Sequence, residues 1–237
     1  MRTGVFDKNS KRKIGDKMFE EKDYIMKIIR QFTNAIARIM GLKAENKIEE
    51  SQEVLTDTLK DFTGLNKEVL ESLPYEILIG KVSGSRQTNT VKSLVLAELL
   101  YQQADIFEIR GEMSRARNLY IKSLNIMIKV ILNEDNSVLE QNQDKVNALI
   151  EKLGRFEVPK ESELLLFQYY ELTKSYAKAE DVLFALIDKS ESNKDLLAKG
   201  IAFYERLIKT DHAELEKGHL PIDEVLEGLA RLEKDLG

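Results

Sequence analysis

VKSLVLAELLYQQADIFEIRGEMSRARNLYIKSLNIMIKVIL, residues Val91–Leu132, decides the fold class. Leu94, Leu96, Leu99, Leu100, Ala104 and Phe107 fall on one side of a helix that stops at Gly111. A second helix opens after Glu112 and turns Ala116, Leu119, Tyr120, Ser123 and Leu124 inward. So short a connection forces the two to run antiparallel, and the stretch predicts one helical hairpin.

The same punctuation extends through the chain. With three prolines and twelve glycines in 237 residues, and no stretch that alternates with period two, the protein reads as all-α. Gly41, Gly64, Gly80, Gly111, Gly154 and Gly218 fall where helical periodicity lapses, as expected if glycine supplies the left-handed residue past a helix. Absence of cysteine excludes disulfides, thiolate zinc sites and cysteine nucleophiles, which suits a reducing compartment. No apolar run approaches the ~20 residues of a membrane span, and no secretory signal core is evident. A soluble cytoplasmic protein is the expectation.

Charge is unevenly placed. Residues 1–17 carry Arg2, Lys8, Lys11, Arg12, Lys13 and Lys17 against Asp7 and Asp16, a net of +4, leaving −9 for the rest. An acidic body argues against general nucleic-acid binding. The leader has little apolar content and no period, so residues 1–17 are expected to be disordered. Its scattered charges, without interleaved aromatics, would give weak, salt-sensitive contacts with RNA, DNA or acidic lipid, and a mobile tail is the plainer reading. Met18 is an alternative initiator, since a clean helix start follows it; intact mass of the native protein tests this.

Working along the chain, Phe19–Leu42 reads as an amphipathic helix. Ile25, Ile28, Ile29, Phe32, Ile36, Ile39 and Met40 make its apolar stripe, and Lys27, Arg30, Asn34 and Arg38 line the opposite side. A cationic helix of this kind suits a membrane surface, but among so many amphipathic helices a shared core is the first expectation. Glu45–Phe62 is its antiparallel partner. Lys67–Leu73 and Tyr75–Val82 form a shrunken hairpin, with Pro74 in the first turn of the second. Ser83–Asn89 reads as a polar surface loop, after which Thr88 or Asn89 caps the long helix. Gly80-Lys81-Val82-Ser83-Gly84-Ser85 lacks the closing Gly-Lys-Ser/Thr of a phosphate loop, so nucleotide binding is rejected.

Beyond Leu132, Ser137-Val138-Leu139-Glu140 has the pattern of a capping box for a helix ending at Gly154. Pro159 opens a helix so rich in large apolar residues that it is expected to be the most buried in the fold. Tyr176–Ile187, Lys194–Lys209, a turn near Ala213–Lys217, and Pro221–Lys234 complete about ten to twelve helices in one continuous domain from residue 18.

Ala104, Phe107, Gly111, Ala116, Tyr120 and Ser123 occupy, in order, the small, aromatic and turn positions of a helical pair that resembles a tetratricopeptide repeat. Ile128 stands where that pattern has its closing proline, and the helix runs on. Ile48, Met113 and Tyr176 hold corresponding places, 65 and 63 residues apart, close to twice a repeat of ~34. The resemblance implies a right-handed array of antiparallel hairpins with degenerate repeats. Asp23-Tyr24-Ile25-Met26, Lys178-Ala179-Glu180-Asp181, Phe203-Tyr204-Glu205-Arg206-Leu207 and Gly218-His219-Leu220-Pro221 also resemble an uncharacterised family of small helical proteins from Gram-positive bacteria. That family has no assigned activity, so the likeness implies a fold and no catalytic residue.

Little in the chain points to a reaction. His212, Glu216 and His219 approach helical metal-ligand spacing, but Gly218 interrupts the helix and no further nitrogen or sulfur ligand is near; no metal or cofactor is expected. Acid pairs such as Glu20 and Glu21 sit on solvated faces, and no Ser–His–Asp set can be singled out. The expected function is therefore a non-enzymatic scaffold binding an unidentified protein or peptide. In a tetratricopeptide-like array the first helix of each pair lines the concave face, which makes Tyr101, Asp105, Glu108, Gln168 and Glu171 the candidate contacts, joined by Asn34 and Arg38. The alternatives are a peripheral membrane or nucleic-acid binder using the basic arm and first helix, and an enzyme whose site is assembled from distant helices. Oligomeric state is open between monomer and homodimer.

Overall fold

The computed structural model describes the backbone at residues 8–82, 84–154, 156–190 and 193–236, with side chains from residue 20 onward. Twelve helices and no strand occur among the described residues: α1 (Lys8–Ala44), α2 (Ile48–Thr63), α3 (Lys67–Ser72), α4 (Tyr75–Lys81), α5 (Arg86–Ile109), α6 (Met113–Asn133), α7 (Asn136–Leu153), α8 (Lys160–Leu172), α9 (Tyr176–Asp188), α10 (Lys194–Leu207), α11 (His212–Lys217) and α12 (Ile222–Leu236). The all-α reading holds.

Ile48, Met113 and Tyr176 each open a helix, and the turns before them share one geometry. Asn46, Gly111 and Lys174 take left-handed φ values of 60°, 76° and 58°. The next residue then donates its amide to the carbonyl five residues back: Lys47 to Leu42, Glu112 to Phe107 and Ser175 to Tyr170, each at 2.8 Å. This bond, with a left-handed residue just before it, closes the preceding helix and reverses the chain. A fourth copy precedes α12, where His219 has φ 57° and the Leu220 amide reaches the Leu215 carbonyl at 3.1 Å. Of the six glycines expected to be left-handed, only Gly64 and Gly111 are. Gly41 and Gly80 lie inside α1 and α4. At Gly154 and Gly218 φ is −56° and −79°.

Several helix starts differ from expectation because a better cap lies upstream. The Ser85 hydroxyl accepts the Thr88 amide, so α5 begins at Arg86 and most of the expected 83–89 loop is helical. Asp135, not Ser137, caps α7: its carboxylate accepts the Ser137 amide at 3.0 Å and outcompetes the hydroxyl for the helix start. Pro74 and Pro159 stand at the N-caps of α4 and α8 rather than inside them. Helix α1 begins at Lys8, well before Phe19; residues 8–17 contain no proline, and an established helix gains a hydrogen bond with each residue added. The part of the disorder expectation that falls on residues 1–7 lies outside the described residues.

The chain divides into two compact units, Met1–Met127 and Ile128–Gly237. Hairpin spacing reveals neighbouring helices but not which hairpins close a core together. In the first unit α1, α2 and α5 pack pairwise. Only part of the predicted α1 stripe serves that packing: Ile25, Ile28 and Ile39 are buried, Phe32 and Ile36 are half-buried, and Ile29 and Met40 face solvent. In the second unit α8 packs on α9, and α10 on both α9 and α12. Phe167, Leu183, Phe203, Tyr204 and Leu232 lie in its core. Gly200 and Gly228 make the α10–α12 approach possible, since a Cβ at Gly228 would lie 2.3 Å from the Tyr204 ring. The most buried run is not α8, which leaves Leu172 39% exposed, but Leu119–Ile128 of α6, where every residue is buried.

Candidate functional site

Tyr101, Asp105 and Glu108 fall one helical turn apart on α5 and converge around Tyr120 of α6. The two tyrosine rings lie 5.6 Å apart. Tyr120 donates its hydroxyl to Glu108 at 2.6 Å, with an Asp105 oxygen at 3.5 Å. Lys43, at the end of α1, donates to Asp105 at 2.5 Å and to the Gln102 amide oxygen at 2.7 Å. Burial raises the Tyr120 hydroxyl well above its ordinary value, and the bond to Glu108 raises it further. Tyrosine held protonated and committed to a carboxylate is a poor acid or base at neutral pH. This cluster ties α1, α5 and α6 together by satisfied polar contacts. Two further pairs repeat the device in the second unit: Tyr176 with Glu214 at 2.7 Å and Tyr204 with Glu180 at 2.5 Å.

Elsewhere in the first unit, the packing of α1, α2 and α5 leaves a groove of about 450 Å³. Ile28, Phe32, Phe62, Val95 and Leu99 supply its apolar lining, and Gln31, Asn34, Thr58 and Asp61 its polar edge. Apolar walls with a few placed polar groups are the usual make-up of a ligand cleft. Thr58 turns its hydroxyl back to the Val54 carbonyl at 2.6 Å, which leaves Asp61 as the charged group of the rim. Asn34 thus lines a cleft, while Arg38 is exposed one turn further along α1.

Gln168 and Glu171 belong to the second unit. They line a separate cleft of about 520 Å³ with Lys129, Leu132, Asn133 and Leu172. Glu171 also accepts both guanidinium bonds of Arg206, at 2.7 and 2.9 Å. Six of the seven candidates therefore fall into separate groups, a knot around Tyr120, a groove with Asn34 and a cleft in the other unit, and Arg38 lines none of them.

Polar residues passed over in the sequence reading carry much of the internal order. Gln52 of α2 and Gln103 of α5 are buried and exchange both amide hydrogen bonds at 2.8 Å. The buried Lys122 ammonium donates to the Leu70 carbonyl at 3.1 Å and the Glu71 carbonyl at 2.5 Å, closing α3; burial lowers its pKa. Their signal was a polar residue on an inward helical face, beside Leu99, Leu100 and Ala104 for Gln103 and beside Leu119 for Lys122. Among the described residues no group of three or more His, Cys, Asp or Glu side chains could hold a metal ion. His212 is exposed at the start of α11, and His219 is exposed at a left-handed turn position.

Fold and site together define an all-α protein of two helical units with a mixed apolar and polar groove in the first. Residues 18–237 match a family described as a family of unknown function, DUF6483, and the chain belongs to that family. No curated protein and no solved structure matches it. None of the described helices is long and apolar enough to cross a membrane.

Proposed function

We propose that this protein is a non-enzymatic binding module, and that the α1–α2–α5 groove takes a large apolar side chain of a short peptide, with an adjacent cationic group meeting Asp61. The observation that carries the reading is the groove itself: an apolar lining of Phe32, Phe62 and Leu99 with one acid on its rim. Hairpins whose second helices open at Ile48, Met113 and Tyr176 are in keeping with a degenerate tetratricopeptide-like array, an architecture suited to peptide capture. A bacterial, cytoplasmic setting belongs to the same proposal, supported by a chain without cysteine.

Selection of random peptides on the immobilised full chain, followed by titration of the enriched sequences, tests this. Enriched peptides should pair a large apolar residue with Lys or Arg. Asp61→Lys, an exposed change, should weaken them at least tenfold, or about 1.4 kcal/mol. Failure to enrich any sequence, or peptides indifferent to Asp61→Lys and Phe62→Ala, would refute the groove.

A further inference from the structure

Helix α1 has a second apolar face that the fold leaves in solvent. Met26, Ile29, Thr33, Ala37 and Met40 are all exposed and recur every three or four residues, within an arc of roughly 80° at ~3.6 residues per turn. Met26 and Met40 are each 54% exposed and Ile29 is 38% exposed. Single exposed apolar residues need no explanation, but an aligned row on one helix marks a contact surface. The row lies away from the groove, which α1 lines with Ile28, Phe32 and Asn34.

Charge indicates what covers it. Helix α1 carries ten basic residues against Asp16, Glu20, Glu21 and Asp23, a net of +6. Because Arg2 and Asp7 cancel, residues 45–237 carry −11. Net positive charge is therefore highest on α1, in a protein whose remainder is acidic as a whole. Lys22, one turn before Met26, falls within the arc of the row, and Arg30 lies just beyond its edge with Asp23, all exposed; Lys27 and Arg38 lie further round, on the side of Asn34. An exposed apolar strip bordered by Lys and Arg is the composition of a helix lying in the boundary of an anionic bilayer, its apolar side about 5–10 Å deep.

Other occupants fit less well. The row is about 21 Å long, and its few apolar side chains fall short of the roughly 800 Å² per partner of a standard protein interface, so a second copy is disfavoured. A nucleic-acid backbone would use the cations but has no use for Met26, Ile29 and Met40. We propose that α1 docks this protein on an anionic lipid surface, with Met26, Ile29 and Met40 entering the headgroup boundary and Lys22 and Arg30 meeting lipid phosphates.

Co-sedimentation of the full chain with vesicles of phosphatidylcholine, alone or with about 30% phosphatidylglycerol, tests the proposal at roughly 50 and 500 mM salt. Binding is expected to the anionic vesicles at low salt, at least tenfold above phosphatidylcholine alone, and to weaken at high salt. Met26→Asp/Met40→Asp and Lys22→Glu/Arg30→Glu, all exposed changes whose folding circular dichroism checks, should each lower partitioning at least tenfold. Equal binding to both vesicles, no binding to either, or partitioning unaltered in both variants would overturn it. So would self-association of the wild type that Met26→Asp/Met40→Asp abolishes, or poly(U) binding that displaces the protein from vesicles and is insensitive to that variant.

Discussion

Gly111 and Lys174 hold the same place in two hairpin turns, with φ of 76° and 58°, although only one of them lacks a Cβ. Each precedes the residue whose amide closes the turn at 2.8 Å. Left-handed backbone costs an ordinary L-residue roughly 1–2 kcal/mol. Lys174→Gly is therefore expected to stabilise the protein by about 0.5–1 kcal/mol, even though it removes the exposed pair with Glu214, which is worth little. Gly111→Ala, with open space around the new Cβ, should destabilise by about 1 kcal/mol through φ alone. Urea unfolding of both variants checks the pair; a Lys174→Gly protein no more stable than wild type would contradict it.

The reciprocal Gln52–Gln103 pair sets the register of α2 on α5. Replacing either residue with Leu strands the other's buried amide and should cost about 1–3 kcal/mol. The double change to Leu leaves no stranded group, so its cost should be less than the sum of the two single changes. A double-mutant cycle that proves additive would show the pair to be uncoupled.

Ala104 of α5 and Ala116 of α6 are fully buried. Enlarging either to Leu should destabilise by roughly 1–3 kcal/mol through overpacking. Unchanged thermal unfolding in both would mean that neither alanine limits helix approach.

Gly228 faces Tyr204, whose hydroxyl is anchored on Glu180 and cannot swing aside freely. Gly228→Ala should cost about 1–3 kcal/mol. Restoring space with Gly228→Ala/Tyr204→Phe should recover part of that loss, since the methyl would then meet a ring without its hydroxyl. No recovery would place the strain elsewhere.

Desolvation raises the Glu180 pKa above its ordinary 4.5, the Tyr204 hydrogen bond opposes it, and Glu224 and Asp181 add to the rise. A carboxyl raised in the folded protein contributes stability that is complete below the unfolded value and is lost as pH climbs through the folded one. Glu180→Gln keeps an acceptor for Tyr204 and removes the charge. Its melting temperature should exceed that of wild type at pH 7, with the difference shrinking as pH falls through the raised folded value towards 4.5. A constant difference across that range would remove Glu180 from the account.

Legibility followed distance along the chain. The starts at Met113 and Tyr176 and the run of α6 past Ile128 were readable because periodicity and turn length are local. Capping was misplaced by a few residues at Ser85 and Asp135, where several polar candidates compete for one helix start. The candidate contacts were legible as polar positions on first helices. Nothing local showed that Asp105 and Glu108 would be drawn into a knot with Lys43 and Tyr120, while Asn34 would edge a groove.

By itself the sequence determined an all-α chain, its hairpin punctuation and the concentration of positive charge on α1. Tertiary structure alone decided which apolar face of α1 is covered. Where α1 packs with α2 and α5, Ile25, Ile28 and Ile39 are buried and Met26, Ile29 and Met40 are exposed. A helix with apolar residues around most of its circumference has more than one way to face a core. The choice is made by residues distant in sequence, among them Gln52 and Gln103, whose amides are satisfied in only one register.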